Sequence, residues 1–199
     1  MLKEKLKKYN IILASKSPRR QFLLKELGLD FEIQTKEVDE SFPKKLKGKQ
    51  IALYLCKKKA EAFKRELKPN DLLITADTIV WINNKVLNKA ANYAEAVKML
   101  KLLSGKMHTV YTGIYLFLPS PKGEEQRARS FVVSTKVFFK KLTEKEIDFY
   151  IRKYKPYDKA GAYGAQEWIG YVGVKKIIGS YFNVMGLPVK ELYEELMKL

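Results

Sequence analysis

Residues 72–82, LLITADTIVWI, are apolar apart from two threonines and one aspartate. With the residues that follow, the run reads as two strands over 71–88, and Asn83-Asn84 turns the second strand back on the first. This hairpin decides the fold class, because strands and helices alternate on either side of it. Asn10 to Ala14 and Phe31 to Thr35 read as strands. Between them a helix is capped by Ser17, has Pro18 at its first position, and is stopped by Gly28 after Leu27. Gln50 to Leu67 is a long amphipathic helix. Asn92-Tyr93-Ala94-Glu95 and Thr143-Glu144-Lys145-Glu146 are capping boxes that open two more helices, ending at Leu103-Ser104-Gly105 and near Pro156. Thr109 to Leu118 and Arg129 to Phe139 are long strands joined by a Pro/Gly/Glu-rich turn, Pro119 to Glu125. Short strands are expected around Tyr171 to Ile178, and a last helix over Pro188 to Leu199. Interleaved elements with long hairpins predict a mixed sheet in an α/β (mixed α+β) fold, as one domain over 1–199.

Composition narrows the function classes. The chain has 199 residues, 46% hydrophobic and 12% aromatic, which is a globular composition. No apolar run approaches the ~20 residues of a membrane span, so no membrane partner is expected. The basic start, MLKEKLKKYN, is interrupted by an acid and lacks a long apolar stretch, unlike a signal peptide. One cysteine, Cys56, allows no internal disulfide and fits a cytoplasmic protein. Thirty-nine Lys+Arg against 22 Asp+Glu give a net charge of +17, which suits an anionic partner. The lysines are scattered in ones to threes, however, as on solvated faces. One histidine and one cysteine exclude a His-rich zinc site or a Cys cluster. Enzymatic chemistry here would rest on carboxylates, lysines, arginines and a hard cation.

Several residues break their local pattern. Asp77 interrupts the run quoted above, and a buried carboxylate calls for a partner, a cation or a catalytic duty. Ser15-Lys16-Ser17-Pro18-Arg19-Arg20 follows a strand and opens a helix, where free backbone N–H groups suit phosphate. Two arginines at a positive helix end are locally unfavourable unless an anion meets them or they point into water. On the 50–67 helix, Lys59 falls within the stripe formed by Ala52, Cys56, Ala60, Phe63 and Leu67, so it reaches a buried anion or snorkels. Asp158 to Gln166 combines an ion pair, glycines that admit a ligand, and an amide that can pair with a base edge. The same segment also reads as an ordinary loop. His108 is assigned no chemistry.

Taken in order, these segments resemble the Maf family of nucleoside triphosphate pyrophosphatases over nearly the whole chain. The resemblance rests on Leu13-Ala14-Ser15-Lys16-Ser17-Pro18-Arg19-Arg20, Lys59-Ala60 and Ala76-Asp77-Thr78. It continues through Leu103-Ser104-Gly105 with His108 and Thr112-Gly113, then Asp158 to Gly164 with Gln166, and Gly179-Ser180 with Asn183 and Gly186-Leu187-Pro188. It implies an elongated, twisted mixed sheet flanked by helices, with two lobes around a cleft, like inosine-triphosphate pyrophosphatases. It implies hydrolysis of a nucleoside triphosphate to the monophosphate and pyrophosphate, aided by Mg²⁺ or Mn²⁺. Asp77 matches the catalytic acid, and Glu40 with Asp77 is expected at the metal. Arg19, Thr78 and Gln166 match positions linked to base choice, while Ser15, Arg20, Lys59 and Lys89 match other cleft residues. The form of the 158–166 segment is similar to the subgroup acting on dTTP and UTP.

The chain departs from this pattern at Ala90, where proline is usual, and at Glu167, where glycine is usual. Two rival readings stay open: a basic nucleic-acid-binding protein with a degenerate cleft, and a pyrophosphatase for a modified or non-pyrimidine nucleotide. The favoured reading expects no specific nucleic acid and leaves a homodimer open.

Overall fold

A computed structural model describes residues 1–119 and 127–199. The turn expected over Pro119 to Glu125 therefore lies, beyond Pro119, outside the described residues. In chain order the elements are α1 (Leu2–Leu6), β1 (Asn10–Leu13), α2 (Pro18–Glu26), β2 (Glu32–Ile33), α3 (Lys49–Glu61), β3 (Asp71–Ile82) and β4 (Lys85–Leu87). They continue with α4 (Tyr93–Leu103), β5 (Met107–Leu118), β6 (Arg127–Phe139), α5 (Glu144–Tyr154), α6 (Trp168–Gly173), β7 (Val174–Ile178), α7 (Tyr181–Met185) and α8 (Val189–Leu196). Among the described residues seven strands form one sheet, ordered β2-β1-β3-β5-β6-β7, with β4 paired to β3. The sheet is mixed: β1 runs parallel to β2 and β3, whereas β4 is antiparallel to β3 and β7 to β6. No helix among the described residues is long and apolar enough to cross a membrane.

The chain divides into two compact units, and the division falls inside β3 after Asp77. The first comprises residues 1–77, 112–133 and 186–199. In its core Ile12, Leu73, Tyr115 and Phe117 from strands meet Cys56, Ala60 and Phe63. Gly113 lets α3 lie close on β5, since a Cβ there would sit 2.5 Å from the Ala52 carbonyl oxygen. The second unit comprises residues 78–111 and 134–185. Its core gathers Val80 and Leu87 from the hairpin, Leu100 and Leu103 from α4, and Tyr150 and Ile151 from α5. Ala90, one of the two departures noted above, is buried there.

Three expectations differ from the observed elements. The helix expected to reach Leu67 stops at Glu61, because the Lys36 ammonium donates to the Ala62 carbonyl at 2.9 Å and the chain tightens into turns. Of the strands expected around Tyr171 to Ile178, residues 174–178 form β7, but residues 171–173 belong to α6; the Glu167 carbonyl accepts from the Gly170 N–H at 2.8 Å and so starts a helix. Ser17 takes the N-cap position, but its hydroxyl makes no capping bond, and the Ser15 hydroxyl accepts from the Ser17 N–H at 3.2 Å instead. The hairpin itself forms as expected, with Asn83 and Asn84 at φ of 49° and 56°.

Candidate active site

In the first unit the unusual residues come together around one ammonium. Strand β3 is buried along most of its length and carries Asp77 with a side chain only 10% exposed. Helix α3 is tied to this strand by the Thr75 hydroxyl, which donates to the Cys56 carbonyl at 2.6 Å. One turn further along α3, Lys59 Nζ donates to Asp77 Oδ1 at 2.5 Å and pairs with Glu40 Oε1 at 2.8 Å. The stripe phase that turned Lys59 inward thus brings it to a carboxylate 18 positions away.

Electrostatics around Asp77 are opposed. Burial pushes its carboxyl above the ordinary aspartate range, while the Lys59 ammonium and then the Arg20 guanidinium pull it back down. Cys56 lies in the same field; burial and the Asp77 charge push its thiol up to about 12, so it stays a neutral core residue. Arg20 donates through Nε to the Gly186 carbonyl and through Nη1 to the Ala76 carbonyl, each at 2.8 Å. Two of its nitrogens therefore hold the peptide before Asp77 and the loop before α8. Arg19 stands beside it on α2, half-buried, and Ser15 is buried at the end of β1.

The acidic corner that carries Glu40 has its own fastening, which sequence reading missed. Lys58 Nζ donates to Asp39 Oδ2 and to the Ser41 carbonyl, both at 3.0 Å, and Asp39 Oδ1 accepts from the Ser41 N–H at 2.9 Å. The Ser41 hydroxyl also donates to Asp39 Oδ2, and this bond first, then those from the Ser41 N–H and Lys58, hold the Asp39 carboxyl down at about 2. Consecutive lysines on α3 thus divide the work: Lys58 clips the corner and Lys59 meets its Glu40. An inward-facing stripe could not reveal Lys58, because it lies off that stripe.

Glu40 and Asp77 are hard oxygen donors that both reach the Lys59 ammonium. Mg²⁺ commonly takes one or two carboxylates and completes its shell with water and substrate phosphates, so the pair fits such an ion. Among the described residues no group of three or more His, Cys, Asp or Glu is placed to hold a metal alone. Two carboxylates would leave the rest of a cation's shell to water or a phosphate.

The second unit carries Thr78, Lys89 and Gln166. Thr78 follows Asp77 along β3, and Lys89 bridges Ala160 in an antiparallel pair. The Gly161 N–H donates to the Leu87 and Asn88 carbonyls at 3.1 Å, with Gly161 at φ +70° against Val80. The 158–167 segment is anchored by buried groups. Lys159 Nζ lies 2.7 Å from Asp158 Oδ1 and 2.9 Å from Glu167 Oε1, with its side chain 9% exposed. Tyr150 donates its phenol proton to Glu167 Oε2 and accepts from the Gly164 N–H at 2.9 Å. Burial and then the Glu167 bond push the Tyr150 phenol well above its usual range. His108 Nε2 and Tyr163 Oη lie 2.7 Å apart, and burial lowers the imidazole to about 4, so it is a neutral packing residue.

Comparison with known proteins agrees with the sequence resemblance. The family model described as Maf-like protein matches residues 10–199. The dTTP/UTP pyrophosphatase of Bacteroides thetaiotaomicron is 51% identical over 195 residues, 98% of each chain. That of Flavobacterium johnsoniae is 50% identical over 200 residues, covering the whole of both. Among solved structures, the Staphylococcus aureus Ham1 protein is 16% identical, covering 95% of this chain and 98% of its own, with a TM-score of 0.48.

Proposed function

The chain belongs to the Maf family, and from that premise we propose that it hydrolyses dTTP and UTP to the nucleoside monophosphate and pyrophosphate. The observation that carries the reading is the convergence of Asp77, Glu40 and Lys59, with Asp77 buried and its proton affinity raised. A carboxylate in that state is a stronger base than one in water. The oxygen of a water molecule bonds to the α-phosphorus while the bond from phosphorus to the α,β-bridging oxygen breaks. Pyrophosphate leaves with that electron pair, and the proton of the water passes to an Asp77 carboxylate oxygen.

Lys59 orients the Asp77 carboxylate and, with Ser15, Arg20 and Lys89, meets the triphosphate charge as it moves to the leaving group. Arg20 does this from a guanidinium fixed on two carbonyls. Arg19, Thr78 and Gln166 choose the base. Glu40 and Asp77 would hold a divalent cation, Mg²⁺ or Mn²⁺, which when bound neutralises phosphate charge. We take residues 1–199 as one functional domain acting in the cytoplasm. The rival nucleic-acid reading finds no support in relatives named for triphosphate hydrolysis.

The test is pyrophosphate release across dTTP, UTP, dCTP, ATP, GTP and 7-methyl-GTP with Mg²⁺ or Mn²⁺. Release led by dTTP and UTP is expected. Release from none of them, or release led by 7-methyl-GTP, contradicts the reading.

A further inference from the structure

We infer that Glu167 is a positioning residue for base selection: it anchors the backbone on one side of Gln166 so that the amide meets the nucleobase in one orientation. The inference rests on the reading of Gln166 as a base-choosing residue.

Gln166 stands between two fixed neighbours. On one side Ala165 is buried, and its carbonyl oxygen lies against Gly170 so closely that a Cβ at 170 would sit 1.9 Å away. On the other side the Glu167 main chain is bound twice, its N–H donating to the Gly164 carbonyl at 3.0 Å and its carbonyl accepting from the Gly170 N–H at 2.8 Å. The Glu167 side chain completes the anchor: one carboxylate oxygen meets Lys159 at 2.9 Å, and the other accepts from Tyr150. Tyr150 in turn accepts from the Gly164 N–H, so the loop is closed from 159 through 164 to 167. Gly164 leaves room for this carboxylate, because a Cβ there would lie 2.8 Å from Glu167 Cδ.

Hydrogen bonds to charged groups shielded from water are the strong ones, and a connected network of this kind rigidifies its surroundings. Lys159 and Tyr150 point inward from the loop and from α5, so the carboxylate of Glu167 joins two elements. Gln166 then inherits a fixed Cα–Cβ direction while remaining partly exposed. An amide both donates and accepts, so it distinguishes bases whose edges reverse donor and acceptor only when its orientation is held.

The experiment compares kcat/KM for dTTP and dCTP in the wild type, Glu167→Ala and Glu167→Gln, with thermal melting of each. Glu167→Ala is expected to narrow the dTTP-over-dCTP ratio by about tenfold, chiefly through KM, with kcat for dTTP within about twofold. Glu167→Gln keeps the shape but offers Lys159 a neutral acceptor, and is expected to narrow the ratio by about threefold. General damage would depress both nucleotides alike, so an unchanged ratio in either folded variant overturns the inference. If Glu167→Ala does not fold, the Gln variant decides. Wild-type protein that cleaves neither nucleotide overturns the functional reading, and this inference with it.

Discussion

Two lysines of this protein each face two carboxylates, and the contrast between them separates the proposed reactive site from a structural anchor. Lys59 meets Asp77 and Glu40, which come from a strand and a loop in different parts of the first unit. Lys159 meets Asp158 and Glu167, which flank it within one short segment of the second unit. Around Lys159 the second acid also takes a tyrosine hydroxyl, and that hydroxyl takes a backbone N–H, so the charges end in a closed set of hydrogen bonds. Around Lys59 the buried acid retains a raised proton affinity despite its ammonium partner. Matching charges thus give rigidity where they end in a hydrogen-bonded set, and a candidate for chemistry where burial and charge oppose each other.

The harshest way to break this comparison is to neutralise the proposed base. Asp77→Asn keeps the volume and loses the base, so pyrophosphate release should fall about 10²–10⁴-fold while the melting curve shows a folded protein.

A second prediction sharpens the structural side through His108, 1% exposed beside Tyr163. Its folded pKa of about 4 lies below the unfolded value of 6.5, so below pH 6.5 the unfolded chain takes up a proton that the fold refuses. Stability from this group is full above that pH, is lost as pH falls toward about 4, and amounts to about 3 kcal/mol. Denaturant melts from pH 7 to about 4 should show the loss, and His108→Gln should flatten it.

Glu167→Ala should cost less, about 2 kcal/mol, because Asp158 still pairs with the Lys159 ammonium left behind. Chemical denaturation measures it, and no loss would mean that the Lys159 set is not a structural anchor. The smallest effect is expected at the more exposed acid of the Lys59 set. Glu40→Gln should raise the Mg²⁺ concentration for half-maximal rate by about tenfold, with little change in stability.

Much of this contrast was legible before any coordinates. Asp77 stood out because a carboxylate is costly inside an apolar strand, and Lys59 because its phase on α3 placed a charge among apolar neighbours. Glu40 entered only through the family resemblance. What could not be read were bonds to backbone carbonyls, which leave no trace in residue identity. The grip of Arg20 on Ala76 and Gly186, and that of Lys36 on Ala62, which ends α3 early, are of this kind. Residues 171–173, expected as the start of a strand, are instead the end of α6, because the Glu167 carbonyl starts a helix by accepting from the Gly170 N–H. Glu167 itself was visible as a departure, but its partner Tyr150 lies 17 residues away on another element.

The central claim is that Asp77 directs water onto the α-phosphorus of dTTP or UTP. It is tested most directly by hydrolysing dTTP with Mg²⁺ in isotopically labelled water and locating the heavy oxygen by mass spectrometry, in the wild type and Asp77→Asn. The account predicts the label in the monophosphate, none in pyrophosphate, and almost no product from the variant. Label in pyrophosphate, release of orthophosphate, or a variant as active as the wild type would contradict it.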